Sequence, residues 1–135
     1  MQHENCEKPP PQRNFLPVIV HVKDLYIEWS KLFLKFPKPL RYSIGIKIDT
    51  LFVETIESLS IAGFLQKSDK LPYIKKSITK IDVIKVFIHI AWEMNLLELN
   101  QYANTSEKLD TIGKMIGGWQ GQIEKQNSPA KAGEK

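Results

Sequence analysis

Ile81-Asp82-Val83-Ile84-Lys85-Val86-Phe87-Ile88-His89-Ile90-Ala91-Trp92-Glu93-Met94-Asn95-Leu96-Leu97 is the stretch that decides the fold. Its β-branched residues invite a strand reading, but their spacing is helical. At about 100° per residue, Ile81, Ile84, Ile88, Ala91 and Asn95 fall on one stripe, and Val83, Val86, Phe87, Ile90 and Met94 fall on another roughly opposite. One apolar stripe is enough to enter a core. A second predicts a partner subunit or a groove occupant, because a helix of a four-helix domain ordinarily turns that face to water.

Three further amphipathic segments surround this one. The first carries Pro17 in its opening turn and repeats Val18, Val22, Leu25, Trp29, Leu32 and Phe36, stopping at Phe36-Pro37-Lys38-Pro39, where a residue before proline leaves the helical region. The run Phe15 to Val22 is the one place where a strand remains open as an alternative. The second segment has the stripe Ile44, Ile48, Leu51, Phe52, Thr55, Ile56, Leu59, Gly63 and Phe64. The third is expected to begin near Leu71-Pro72, capped by Ser68 or Asp69, and to run through Ile74 and Ile78 into the doubly apolar stretch. The fourth starts after an Asn100 cap with Tyr102, Leu109, Ile112, Met115, Ile116, Trp119 and Ile123. Short connections join antiparallel neighbours, so the expectation is an all-α, antiparallel up-down four-helix bundle. Gly117-Gly118 inside the last helix calls for a close backbone approach or a local break, since each glycine costs about 1 kcal/mol against alanine there.

The chain has 135 residues, 42% of them hydrophobic and 25% charged, which suits one globular domain with a core of its own. Residues 1–14, rich in proline and polar groups, and residues 126–135 read as disordered tails around a bundle at 15–125. A lone cysteine, Cys6, rules out an internal disulfide. With no apolar leader and no membrane-length apolar run, a cytoplasmic protein is expected.

Familiar catalytic chemistry finds no foothold. Neither His21 nor His89 follows a glutamate by three residues, as a di-iron bundle requires, and His89 with Glu93 reads as an i, i+4 surface pair. Gly113 and Gly117 match a small-residue helix-packing spacing that means little around Lys114. Phosphate-binding and nucleophile-elbow motifs do not occur. The expectation is a protein without catalytic residues, metal, cofactor or small-molecule substrate. The three tryptophans fall on or beside the apolar stripes and read as packing; Tyr42, beside Arg41, is the aromatic expected at the surface.

Charge is the remaining signal. The net charge is +4, but it is unevenly spread. Lys31, Lys35, Lys38, Arg41 and Lys47 follow one another without an acid between them, and Lys67, Lys70, Lys75, Lys76, Lys80 and Lys85 face only Asp69 and Asp82 in their stretch. If the end of the first helix, the start of the second and one end of the third share a rim, these residues form one phosphate-binding patch. A solvated lysine-rich surface is the plainer alternative.

Three segments carry a family resemblance: Phe36-Pro37-Lys38-Pro39-Leu40-Arg41-Tyr42-Ser43-Ile44-Gly45, Ile81 through Glu93, and Ser106-Glu107-Lys108-Leu109-Asp110-Thr111-Ile112-Gly113-Lys114-Met115-Ile116-Gly117-Gly118-Trp119. Together they resemble the Avd family, the accessory variability determinants of diversity-generating retroelements, and the related four-helix-bundle proteins encoded in intervening sequences of large-subunit ribosomal RNA genes. The resemblance runs from about Phe15 to Ile123. It implies a pentameric barrel with a basic surface that binds a reverse transcriptase and its template RNA, with DNA as a further polyanion, and supports error-prone cDNA synthesis for mutagenic retrohoming. His89 departs from it, standing where such proteins tend to carry an arginine.

The residues and the resemblance together predict a non-catalytic, homo-oligomeric accessory of a reverse transcriptase. Its nucleic-acid-binding residues would be Lys31, Lys35, Lys38, Arg41, Lys47, Lys75, Lys76, Lys80 and Lys85, and its oligomer interface Val83, Val86, Phe87, Ile90 and Met94. No membrane partner is expected. The alternatives are a scaffold that binds only protein and an rRNA intervening-sequence-type bundle protein.

Overall fold

A computed structural model describes residues 15–128, so the tail expected at 1–14, with Cys6, and residues 129–135 of the tail expected at 126–135 lie outside the described residues, while Gln126 belongs to the last helix. Four long helices account for most of that span: α1 (Pro17–Phe33), α2 (Ile46–Phe64), α3 (Lys67–Glu93) and α4 (Leu99–Gln126). No strand occurs among the described residues, and the open alternative at Phe15 to Val22 is resolved as helix from Pro17 onward. No helix among them is long and apolar enough to cross a membrane. The helices pack around a single apolar core in which Val22, Trp29, Phe52, Leu59, Ile81, Ile84, Ile88, Leu109, Ile112 and Ile116 are fully buried.

Most of the expected stripes point inward, and the exceptions have local causes. On α2, Ala62 takes the buried place expected of Gly63 and Phe64, and Phe64 is 88% exposed. The helix stops there, with Leu65 extended and its N–H donating to the Ala62 carbonyl, so the last two stripe positions rotate out to solvent. The α2–α3 connection is only Leu65 and Gln66. As a result α3 begins at Lys67 rather than at Leu71, Gln66 holds the cap position without a side-chain bond, and Pro72 lies inside the helix. The carbonyl of Lys67 accepts from Asn127 Nδ2 at 2.9 Å, and Lys70 Nζ donates to the Ala62 carbonyl at 2.6 Å, satisfying a C-terminal group of α2.

α3 ends at Glu93, earlier than its apolar pattern implies. Asn95 adopts a left-handed φ of 62°, Leu96 N–H donates to the Ala91 carbonyl and Asn95 N–H to that of Trp92, the bonding of a Schellman ending. Asn95, expected on the core stripe, is therefore an exposed turn residue, and Leu97 is buried in its place. α4 is capped by Glu98 rather than Asn100: the Glu98 side chain and that of Gln101 each accept from the other's backbone N–H.

Between α1 and α2 the chain makes a single helical turn (Lys38–Leu40) and a π-helical turn (Arg41–Gly45) that runs directly into α2. Aromatic side chains fix this corner. Trp29, fully buried, lies 5.6 Å from the Phe33 ring, 5.5 Å edge-on from Phe36 and 6.1 Å from Phe52. Gly45 sits against that cluster so tightly that a β-carbon there would come within 2.6 Å of Phe33 Cε1. Phe33 packs against Trp29 and Phe36, so yielding to such a carbon would disturb those ring contacts.

The glycines of α4 behave otherwise. The helix is unbroken through Gly117, Gly118 and Gly121, and a β-carbon at any of them would meet nothing within 4 Å. Neither the close approach nor the local break expected at Gly117-Gly118 is found within the protomer.

These two settings predict opposite outcomes for one substitution. Gly45→Ala should cost about 1–3 kcal/mol through overpacking, whereas Gly118→Ala should stabilise the protomer by about 0.4–1 kcal/mol through chain entropy and helix propensity. Thermal melts followed by circular dichroism should show the midpoint falling for the first and rising for the second.

Candidate functional site

The α1–α2 corner carries Lys31, Lys35, Lys38, Arg41 and Lys47, and none of them takes part in an ion pair among the described residues. The acids that flank this run in sequence are both turned elsewhere. Glu28 reaches across to α4, where Lys108 Nζ lies 2.7 Å from its Oε2 and Asn104 donates to its Oε1 at 3.3 Å. Asp49 accepts from the Trp29 indole N–H at 3.3 Å and faces Tyr26. Burial raises the Tyr26 phenol above its ordinary pKa, with the hydrogen bond and negative charge of Asp49 acting in the same direction. Arg41 is half-buried, and its Nε is buried without a hydrogen-bond partner. Tyr42, beside it, is 68% exposed.

The lysines of α3 have a different setting. Lys80 Nζ is 3.0 Å from Glu54 on α2, and Lys85 Nζ is 3.1 Å from Asp110 on α4 and 3.8 Å from Asp82. Lys76 Nζ lies 5.5 Å from the centre of the Tyr73 ring, and Lys75 is exposed. The single rim expected from the sequence is not formed. Lys35 shares a cleft with Trp92 and Asn95, at the C-terminal end of α3, while Lys75 lies 17 residues before Trp92, roughly 25 Å along the helix. Two basic clusters result. Lys70, engaged with the end of α2 and 5.8 Å from the Trp119 ring centre, serves the fold.

The stripe assigned to an oligomer interface is only partly free. Val83 and Phe87 are half-buried and pack against the protomer's own core, because α3 lies between α2 and α4 and contacts both. Ile90 is half-buried, and Val86 and Met94 are 57% and 43% exposed. The two apolar faces read from the sequence therefore merge on one flank, leaving a narrower strip centred on Val86.

At the end of α3, His89, Trp92 and Tyr102 form an aromatic group that the sequence did not reveal, because it depends on which residues of α3 and α4 come abreast. Trp92 and Tyr102 stack with ring centres 4.8 Å apart, and the Tyr102 hydroxyl is 3.0 Å from His89 Nδ1. His89 Nε2 is 3.2 Å from a Glu93 carboxylate oxygen, the expected i, i+4 pair. The neighbouring cleft, of about 570 Å³, is lined by Leu32, Lys35, Trp92 and Glu98 among others. A second cleft, of about 440 Å³ between α1 and α4, brings His21, Asp24, Glu28 and Glu107 to one groove. Among the described residues no three His, Cys, Asp or Glu side chains are placed to hold a metal ion.

The setting of Tyr26 fixes the sign of a pH effect. Its raised pKa means that the folded protein holds the phenolic proton more tightly than the unfolded chain does. The contribution is complete below the unfolded value near 10 and is lost as pH rises through the folded value. Relative to Tyr26→Phe, the wild-type melting temperature should fall as pH rises through about 10 and above, and hold constant between about pH 7 and 9. Comparison with known protein families, with curated proteins and with solved structures finds no match to this chain.

Proposed function

We propose that this chain is a non-catalytic, self-associating protein that holds nucleic acid for a reverse transcriptase, as the resemblance to the Avd accessory proteins of diversity-generating retroelements implies. In this reading the protomer is an antiparallel up-down bundle, and five copies close into a barrel. Support for the antiparallel arrangement comes from cross-helix pairs that run in opposite senses: Ala62 with Lys70 and Glu54 with Lys80, then Lys85 with Asp110 and His89 with Tyr102.

The observation that carries the proposal is the conjunction, on one small protomer, of an uncovered apolar strip around Val86 and basic side chains without carboxylate partners. An exposed strip on a long helix gains free energy by association, at about 25 cal/mol per Å² of apolar area buried. Association then multiplies a modest positive surface. Several copies present their lysines to one polyanion, so the second and later contacts form at high effective concentration, and each neutralised phosphate releases counterions. Lysine suits a role in holding a strand of any sequence, because its compact charge binds phosphate without the bidentate geometry that reads bases.

A scaffold that binds only protein is the second reading, favoured by apolar side chains exposed away from the strip: Leu34 at 67%, Leu99 at 63% and Phe64 at 88%. The experiment that separates the two combines light scattering with RNA titration. The proposal expects a mass several times 15.6 kDa and RNA affinity that falls steeply with salt. Val86→Glu should return the protein to the protomer mass with its helical content intact and reduce RNA affinity at least ten-fold, through loss of multivalency. A monomeric wild type without an RNA shift at low salt would favour the scaffold.

A further inference from the structure

The two basic clusters are not equivalent, and we infer that the α1–α2 corner, Lys31, Lys35, Lys38, Arg41 and Lys47 together with Tyr42, is the surface that grips a single-stranded nucleic acid. This inference rests on the proposed nucleic-acid role and says which part of the molecule performs it, and on which form of the polymer.

A charge already facing a carboxylate at about 3 Å gains less from a phosphate, because the incoming anion must compete with the one in place. Lys80 and Lys85 are in that position, with Glu54 and Asp110, so the α3 cluster offers only Lys75 and Lys76 free of ion pairs against five such cations at the corner. The corner residues are not so placed: Glu28 is paired with Lys108, and Asp49 and Glu98, which keep their charge, direct it to the Trp29 indole and to the α4 cap rather than into an ion pair with a corner cation. The field of the corner is therefore offset only at a distance, with no carboxylate among the described residues in direct contact with its cations.

The corner is rigid, since the Trp29, Phe33, Phe36 and Phe52 rings and the closely packed Gly45 hold the π-helical turn against α1. Arg41 is half-buried on that turn, and its Nε is buried without a hydrogen-bond partner among the described residues, so packing fixes the inner part of its guanidinium. The backbone that carries these cations is thus in place before a strand binds, and only the exposed lysine side chains remain to be ordered.

Tyr42, next to Arg41 in the π-helical turn, exposes 68% of its surface and so leaves a ring face open for stacking. An unpaired base offers a π face to such a ring while its phosphates meet the lysines, whereas a duplex keeps its bases stacked on one another.

The test uses the full chain and a fluorescein-labelled oligouridine of about 20 nucleotides, with fluorescence anisotropy measured across salt concentrations and circular dichroism as a check on folding. Lys35→Glu with Lys38→Glu and Lys47→Glu should weaken binding more than ten-fold and flatten the log–log salt slope by about 0.7 for each phosphate that is no longer neutralised. Lys75→Glu with Lys76→Glu should have less than a third of that effect on affinity. Tyr42→Ala should weaken binding about ten-fold and Tyr42→Phe should preserve it. A duplex of equal length should bind more weakly and should not respond to Tyr42→Ala. The corner assignment is overturned, with the nucleic-acid role intact, if the Lys75 and Lys76 reversals dominate or the corner triple binds as wild type. Displacement of the RNA by polyglutamate as readily as by unlabelled RNA overturns it in favour of an acidic protein partner. Absence of RNA binding by the wild type at low salt overturns both readings together.

Discussion

The packing of Trp29 at the end of α1 is the interaction on which the rest of the molecule depends. A fully buried indole with Phe33, Phe36 and Phe52 around it removes a large apolar area from water, and its one polar atom is satisfied by Asp49. Because Phe33 and Phe36 precede the reversal and Phe52 follows it, the same packing that builds the core also closes the corner. Gly45 is the steric counterpart of this arrangement. The chain enters α2 so close to the Phe33 ring that only a residue without a side chain fits.

Closing the corner in this way also organises charge. Asp49 is drawn inward to the indole and to Tyr26, and Glu28, one turn before the end of α1, faces α4 and meets Lys108. Glu28 is thus paired away from Lys31, Lys35, Lys38, Arg41 and Lys47, and Asp49 keeps its charge but makes no ion pair with them. On α3 the reverse holds: its position between α2 and α4 brings Lys80 and Lys85 within reach of Glu54 and Asp110. Exposed pairs of this kind contribute at most about 1 kcal/mol each to stability, yet they redistribute the surface field considerably. The same central position explains why Val83 and Phe87 are half-buried and why the uncovered apolar strip of α3 is narrow.

Much of the helical framework is legible in the residues. The repeats through Val18, Val22, Leu25 and Trp29, through Ile48, Leu51, Phe52, Thr55 and Leu59, and through Leu109, Ile112, Ile116 and Ile123 all point to the core, because burial of an apolar stripe is a local, periodic demand that the sequence must satisfy position by position. Ends are less legible. The start of α3 at Lys67, its stop before Asn95 and the Glu98 cap of α4 each fall a few residues from where the pattern puts them, since several polar residues near each end could cap and the choice among them depends on how short the connection must be. The π-helical turn before α2 leaves no recognisable mark except Gly45.

For the candidate site, the sequence determined which residues carry positive charge and that five of them follow one another without an acid between. It determined as well that α3 carries more apolar residues than one buried stripe requires. Only the tertiary structure decided which charges remain unpaired, that the basic residues form two clusters rather than one rim, and that His89 meets Tyr102. The physical reason is range. Helical periodicity is set by contacts three or four residues apart, whereas an ion pair or an aromatic stack between α3 and α4 is set by the axial register of two helices, which the packing of the whole core fixes at once.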